Sequence, residues 1–287
     1  MTTVDDAQVL NLAVEGTFDD CQRIIKELFA DVAFKHQYHL RAINSINMAR
    51  ILAQTVYYFY AYFQLIEAGH REEINFSVPT GNFGNLFAGY LAKRMGLPIN
   101  KLILATNENN ILERFVREGV YQPSGFHRTY SPSMDIQIAS NFERYLYYLY
   151  GENPETVDSL MADFKVQGRI VSNRQVLHQV QSDFSAYSVA NEECLDTIGE
   201  YHQKYGYMID PHTACAAAAA KRVGLGGEVT VILSTAHPAK FNEALQMRSI
   251  SQSYPREIQE LFGKPEIKTV IEGSTEVIKE RLVTFLR

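Results

Sequence analysis

Three short segments of the chain put small, polar and hydroxylic residues where an α/β fold concentrates chemistry. Pro79-Thr80-Gly81-Asn82-Phe83-Gly84-Asn85 stands between an apolar run, Ile74 to Val78, and an apolar helical period, Leu86 to Met95. Glycines at a strand-to-helix turn let the backbone approach an anion, and the amides that open the helix point at it, so the chemistry on offer is phosphate binding. The turn is no P-loop, lacking Gly-Lys-Ser/Thr, and no dinucleotide fingerprint, lacking the third glycine and the distal acid. Gly-x-x-Gly turns also serve simply to reverse a chain.

The second segment, Ser234-Thr235-Ala236-His237, follows the apolar run Val229 to Leu233, at the strand end where open α/β sheets bind ligands. Its hydroxyls suit a ring nitrogen. The third, Asn44-Ser45-Ile46-Asn47, precedes a helix running to about Gln64, with Asn44 or Ser45 as the cap. Ile51, Leu52, Val56, Phe59 and Phe63 keep a helical spacing that reads as a buried core face. His212, after Asp210-Pro211, is a candidate acid or base, although a lone histidine beside a proline turn is more often structural. His36 and His39 have no third metal ligand nearby, and there is no His-Glu-x-x-His. Gly224-Leu-Gly226-Gly227 precedes a strand and reads as a helix-to-strand turn.

The elements that must position these segments alternate. Val9 to Val14 reads as a strand with no earlier strand to pair with, and Thr17-Phe-Asp-Asp20 is a capping pattern opening a helix through Cys21, Ile24, Ile25, Leu28 and Phe29. Lys101 to Thr106 is a strand, Asn107 to Asn110 a polar loop and Ile111 to Arg117 a helix. Phe142 to Tyr201 is mostly helical, with Pro154 as a break, and Leu195 to Tyr205 and Ala214 to Arg222 are helices. This alternation predicts an α/β fold with an open, mostly parallel sheet flanked by helices. The expected division is a remnant of a small N-terminal domain (one βα unit) over 1–40, a large α/β domain over 41–245 with a helical insertion at about 142–200, and a C-terminal helical tail over 246–287.

Composition excludes several classes. The 287 residues are 46% hydrophobic and 21% charged, with 17 Gly and 9 Pro, which is the make-up of a globular chain and not of a disordered or collagenous one. The net charge is −6 with basic residues scattered singly, which argues against nucleic acid or an anionic membrane as partner. Cys21, Cys194 and Cys215 are too widely spaced for Cys-x-x-Cys chemistry, and an odd count is no disulfide framework, so reduced thiols in the cytoplasm are expected. No run is apolar enough for a membrane span, and the start has no signal-peptide pattern.

Taken together, Ser77-Val-Pro-Thr-Gly81-Asn-Phe-Gly84-Asn85, Asn44-Ser-Ile-Asn47, Ala105-Thr-Asn-Glu-Asn109 and Thr235-Ala-His-Pro-Ala-Lys-Phe241 resemble threonine synthase of the class shared by enterobacteria and fungi. The resemblance covers almost the whole chain in the family's order. It implies a fold type II, tryptophan synthase β-like enzyme of pyridoxal 5′-phosphate (PLP) that converts O-phospho-L-homoserine and water to L-threonine and phosphate, the last step of threonine biosynthesis. On that basis Gly81, Asn82, Phe83, Gly84 and Asn85 would hold the cofactor phosphate. Thr235 would face the pyridine nitrogen, with Ser234 as substitute if the register differs by one. Asn44, Ser45, Asn47 and Arg50 would lie near the substrate, whose phosphate and carboxylate call for amide and guanidinium donors.

The chain departs from the family pattern in three places. Met48 stands where the family often has Trp, and Asn85 where it often has Asp. The family's Schiff-base lysine, in a Pro-Thr-x-Ala-Phe-Lys-Asp segment upstream of the glycine turn, has no counterpart; Ala33-Phe34-Lys35 imitates it but is followed by His36 and reads as coincidence. The resemblance therefore implies an N-terminally truncated threonine synthase, catalytically poor alone, whose partners would be O-phospho-L-homoserine and the missing N-terminal part. A truncated sheet would expose an apolar edge and promote self-association. The alternatives are a threonine synthase-like phospho-lyase giving 2-oxobutyrate and a non-catalytic protein that retains the fold.

Overall fold

Strands and helices alternate in the computed structural model, which describes residues 2–16, 18–70, 72–226 and 229–286. In chain order they are β1 (Leu12–Glu15), α1 (Phe18–Ala30), α2 (Val32–Gln37), α3 (Met48–Glu67), β2 (Ile74–Pro79), α4 (Gly84–Arg94), β3 (Ile99–Thr106), α5 (Ile111–Glu118), β4 (Val120–Tyr121), α6 (Phe142–Leu149) and α7 (Pro154–Gln167). There follow β5 (Ile170–Val171), α8 (Arg174–Asp183), β6 (Phe184–Ser188), α9 (Asn191–Tyr205), α10 (Pro211–Val223), β7 (Thr230–Ile232), α11 (Asn242–Gln246), α12 (Arg256–Gln259), β8 (Thr269–Glu272) and α13 (Thr275–Phe285). The chain divides into two units, Met1–Ala42 with Ser253–Arg287, and Ile43–Gln252.

The larger unit is built on a parallel sheet of order β6-β3-β2-β7. Every residue of β2 is buried, as a strand covered on both faces requires. Side-chain alternation sorts the two faces. Phe76, Val78, Leu102 and Leu104 belong to a core with Tyr58 of α3 and Leu86, Phe87 and Leu91 of α4, and the Tyr58 and Phe76 rings lie 4.8 Å apart. Ile103 and Ala105 face Ala216 and Ala219 of α10 instead. The alanine run of α10 lets its backbone approach the sheet so closely that buried Ser77 Oγ donates to Ala216 O at 2.6 Å.

Four sequence expectations change here. The insertion is not simply helical, because β6 leaves it to pair with β3, Leu102 opposite Phe184. The core face of α3 is Ile51, Thr55 and Tyr58, whereas Leu52, Val56 and Phe63 are exposed; the aromatic-rich sequence carries two apolar stripes and only one meets the sheet side. Asn47, not Asn44 or Ser45, caps α3, its Oδ1 accepting from Ala49 N at 2.9 Å. The tail is not only helices and loops, since it contains β8, the partner that β1 lacked.

The smaller unit joins the two ends of the chain. β1 and β8 pair in parallel, Leu12 with Thr269 through Glu15 with Glu272. Ile24, Leu28, Phe34 and Ile278 form its core. Residues 1–40 and the tail thus share one unit, since two parallel strands far apart in sequence bury a common apolar face that neither end could bury alone. Lys35 lies in α2 of this unit, its Nζ 5.5 Å from the centroid of the Phe29 ring. Thr17 of the expected cap and Gly227 of the Gly224 turn lie outside the described residues.

Candidate active site

At the end of β2 the chain turns sharply. Thr80 N donates to Ala105 O at 2.8 Å, holding the start of the glycine loop to β3. Phe83 then adopts φ 65°, a left-handed conformation, as N-cap of α4, and supplies no side-chain cap to the helix amides. A left-handed non-glycine residue is strained by about 1–2 kcal/mol. Burial of its ring against Phe142 at 5.6 Å, Tyr145 at 5.8 Å and Phe184 at 5.9 Å offsets that strain. Gly81 is required for a different reason: a Cβ there would lie 2.7 Å from Ser133 O and 3.1 Å from Met134 Cα.

The loop opens onto a cavity of about 460 Å³, within the size range of small-molecule sites. Gly81, Asn82, Phe83, Gly84 and Asn85 line one wall, Ser45 and Arg50 another, and Ser234 and Thr235 a third, just beyond β7. Three segments from distant parts of the sequence thus converge on one cavity. Asn44 and Asn47 are not among its described lining residues; Asn44 Oδ1 closes a turn on Ile46 N at 3.1 Å and Asn47 is the α3 cap. No lysine lines the cavity among the described residues.

Gln54, Tyr57, Ser133, Met134 and His212 also line the cavity, which the sequence reading did not foresee, except for His212 as a candidate acid or base. Their signal was weak. Gln54 and Tyr57 lie one and two helical turns beyond Arg50, while Ser133 and Met134 sit in a 3₁₀ turn, Pro132–Met134, with no motif of its own.

Two buried polar clusters hold these walls. Asn141, fully buried at the start of α6, donates from Nδ2 to Ser45 O at 2.9 Å and to Asn82 O at 3.1 Å, so one amide ties the Ser45 segment to the glycine loop. Arg144, one turn on, donates to Asn141 Oδ1 at 3.1 Å and to Ile46 O at 3.0 Å. Behind the Ser133 wall, Asp135 Oδ1 accepts from Asn107 Nδ2 at 2.8 Å, Asn109 Nδ2 at 3.1 Å and Thr129 Oγ1 at 2.6 Å. Asn107 and Asn109 belong to the third resemblance motif, and their role is to fasten the Pro132–Met134 turn to the end of β3.

Below Ser234 lies a third cluster. Asp210, fully buried, caps α10 through His212 N at 2.8 Å and faces His212 Nδ1, also at 2.8 Å. Ser133 N donates to His212 Nε2 at 3.3 Å, so that nitrogen carries a lone pair and the proton sits on Nδ1. Thr213 Oγ1 lies within hydrogen-bond reach of both Asp210 Oδ2 and, at 3.2 Å, Ser234 Oγ. Burial pushes the Asp210 carboxyl up, but the hydrogen bonds from His212 and Thr213 outweigh it and hold it below its ordinary value.

Comparison with known proteins agrees with this arrangement. The family described as "Pyridoxal-phosphate dependent enzyme" matches residues 6–235, and that described as "Threonine synthase, C-terminal" matches residues 213–282. The threonine synthase of Pseudomonas aeruginosa is 44% identical over 274 residues, 94% of this chain and 58% of the relative. That of Saccharomyces cerevisiae is 40% identical, over 98% of this chain and 60% of the relative. The crystal structure of PLP-bound threonine synthase from Brucella melitensis superposes with a TM-score of 0.88 at 41% identity, covering all of this chain and 62% of that one. The chain therefore spans about three-fifths of the length of the relatives it matches. With its fold type II architecture, it belongs to the pyridoxal-phosphate dependent enzyme family, in its threonine synthase group.

Proposed function

We propose that the cavity is the PLP site of a threonine synthase, acting on O-phospho-L-homoserine to give L-threonine and phosphate. The observation that carries this reading is the convergence of the glycine loop, the Ser45–Arg50 segment and the Ser234–Thr235 pair on one cavity at the carboxyl ends of the strands. The residues fit the cofactor. A left-handed N-cap without a side-chain acceptor leaves the α4 start suited to a phosphate, and Gly81 keeps the wall clear of a Cβ that would strike Ser133 O. Ser234 and Thr235 offer neutral hydroxyls to a ring nitrogen. When bound, PLP supplies an electron sink for carbanion chemistry next to the amino group.

Around that group the chain's own residues bind and orient. Arg50 offers the cationic fork that a substrate phosphate or carboxylate requires, and Ser45 a hydroxyl beside it. Asn141 keeps these donors in register with the glycine loop. The described lining holds no lysine, and on this reading the amine that would hold the cofactor covalently and move the α-proton comes from outside that lining, so poor turnover of the chain alone is the expected outcome. Three reduced thiols suit a cytoplasmic setting, and no described helix is long and apolar enough to cross a membrane.

The test is a PLP titration of the purified chain followed by borohydride reduction and peptide mapping, with product analysis on O-phospho-L-homoserine. Saturable binding without a specifically labelled lysine, and threonine formation far below an enzyme rate, is the expected result. Labelling of one lysine with rapid threonine formation refutes the poor-turnover reading, 2-oxobutyrate as the sole product refutes the synthase reading, and absence of PLP binding refutes the site.

A further inference from the structure

The 3₁₀ turn that carries Ser133 and Met134 has no cap of its own. Its first flanking residue, Ser131, makes no side-chain bond to the turn's amides, and Pro132 has no N–H, so Ser133 N is the first donor that needs a partner. The acceptor comes from another element: His212 Nε2, in the first turn of α10, at 3.3 Å. Ser133 is equally confined on its other side. Its carbonyl oxygen packs so closely on Gly81 that a Cβ there would meet it at 2.7 Å. Ser133 thus lies between the imidazole and the first glycine of the loop, and the place of the imidazole sets the place of that wall.

The imidazole itself has little freedom. His212 is buried, its Nδ1 faces Oδ1 of the fully buried Asp210 at 2.8 Å, and its ring lies 4.9 Å from that of Phe241. Asp210 is anchored in turn, accepting from His212 N at 2.8 Å and, through Oδ2, from Thr213 Oγ1. An ionised carboxylate only accepts, so the His212 proton sits on Nδ1 and Nε2 keeps the lone pair that Ser133 N requires. The other tautomer would set N–H against N–H at Ser133 and a lone pair against the carboxylate.

We propose that His212 is a positioning residue for the phosphate end of the cavity: Asp210 fixes its tautomer, and its Nε2 holds Ser133 against Gly81, so that the glycine loop keeps the width an anion needs. The inference rests on the reading of the cavity as a PLP site and goes beyond it, because it gives a role in phosphate binding to a residue far from the glycine loop in sequence. On this assignment His212 is not the acid or base that its residue type suggested, since its lone pair is committed to a backbone amide. Two nitrogens on opposite sides of one rigid ring are what the task requires, one to read the carboxylate and one to hold the turn.

The experiment titrates the chain by calorimetry with pyridoxine 5′-phosphate and with pyridoxine, which differ only in the phosphate and carry no aldehyde to react with lysines. Wild type is expected to prefer the phosphate ester. His212→Asn keeps a partner for Asp210 but does not reach Ser133 N, and is expected to bind the ester roughly tenfold more weakly with pyridoxine unchanged. His212→Gln, whose Oε1 reaches the position of Nε2, is expected to recover most of that loss. With wild type preferring the ester, an equal loss for both ligands, an unchanged ester affinity in His212→Asn, or a glutamine variant no better than the asparagine one overturns the role of His212 alone. A wild type with no preference for the ester overturns the phosphate-site reading and the role of His212 with it. Without ligand, slow exchange of the Ser133 amide proton in wild type and His212→Gln, and fast exchange in His212→Asn, support the contact; fast exchange in wild type overturns it.

Discussion

Replacement of Asn141 by alanine tests whether the cavity depends on a single buried amide. The side chain donates to Ser45 O and Asn82 O and accepts from Arg144 Nε, at 2.9, 3.1 and 3.1 Å. Asn82 O keeps a partner in the variant, because Asn141 backbone N also donates to it at 3.2 Å. Ser45 O and the Arg144 Nε lose theirs. At about 1–3 kcal/mol for each buried polar group left unsatisfied, and with Arg144 still bonded to Ile46 O and able to reach solvent, the net loss is roughly 2–4 kcal/mol. For a unit of this size that lowers Tm by roughly 4–16 °C. Circular dichroism is the suitable probe, since the chain has no Trp and fluorescence would come only from its 17 Tyr. Asn141→Asp keeps the shape but sets carboxylate oxygen against Ser45 O and Asn82 O, and is expected to be at least as damaging. PLP affinity is expected to fall in both variants, because the Ser45 segment is no longer held to the glycine loop. Stability within about 0.5 kcal/mol of wild type and unchanged PLP binding in Asn141→Ala would refute the reasoning.

Further expectations follow from other parts of the molecule. Gly89→Ala places a Cβ 2.6 Å from the Tyr58 ring, which is fully buried, and should lower the urea midpoint by an amount worth about 1–3 kcal/mol, recovered in part by Tyr58→Leu. The lowered Asp210 pKa stabilises the fold above the ordinary carboxylate pKa of about 4, and that stability is lost as pH falls from there through the folded value. Stability measured from pH 6 downward (roughly pH 5 and below is where linkage acts) should therefore fall more steeply in wild type than in Asp210→Asn; equal slopes would show that Asp210 is not held ionised. Arg50→Ala should weaken O-phospho-L-homoserine binding about tenfold by calorimetry, while an unchanged affinity would remove Arg50 from the site. The outer face of α3, with Val56 60%, Tyr60 67% and Phe63 55% exposed, should drive self-association in sedimentation, relieved by Val56→Glu with Tyr60→Glu; a wild-type monomer at high concentration would count against it.

Much of this protein is written locally. The glycine loop was legible because strand, turn and helix are set by neighbours in sequence: a buried apolar run, two glycines and an apolar period of one face. The same local logic located Ser234 and Thr235 beyond a strand and separated α10 from its proline start. What local pattern could not decide was which of two apolar faces of α3 meets the core. That choice belongs to α4, where Gly89 leaves room for Tyr58, and it exposes Leu52, Val56 and Phe63. Nor could it supply a partner for β1, which comes from β8 near the other end of the chain, or reveal β6, a short strand whose pairing with β3 is its main support.

The division is sharpest at the cavity. Residue types alone announced a glycine turn between strand and helix, a hydroxyl pair and a polar helix start, because each is a local chemical pattern. Tertiary structure alone brought Ser45 and Arg50 to the wall, turned Asn44 and Asn47 to capping their own backbone, and joined the segments through Asn141 and Asp210. Hydrogen bonds between groups more than 90 residues apart, such as Asn141 to Ser45, leave no periodicity in the sequence, since their geometry exists only after the sheet has placed both ends.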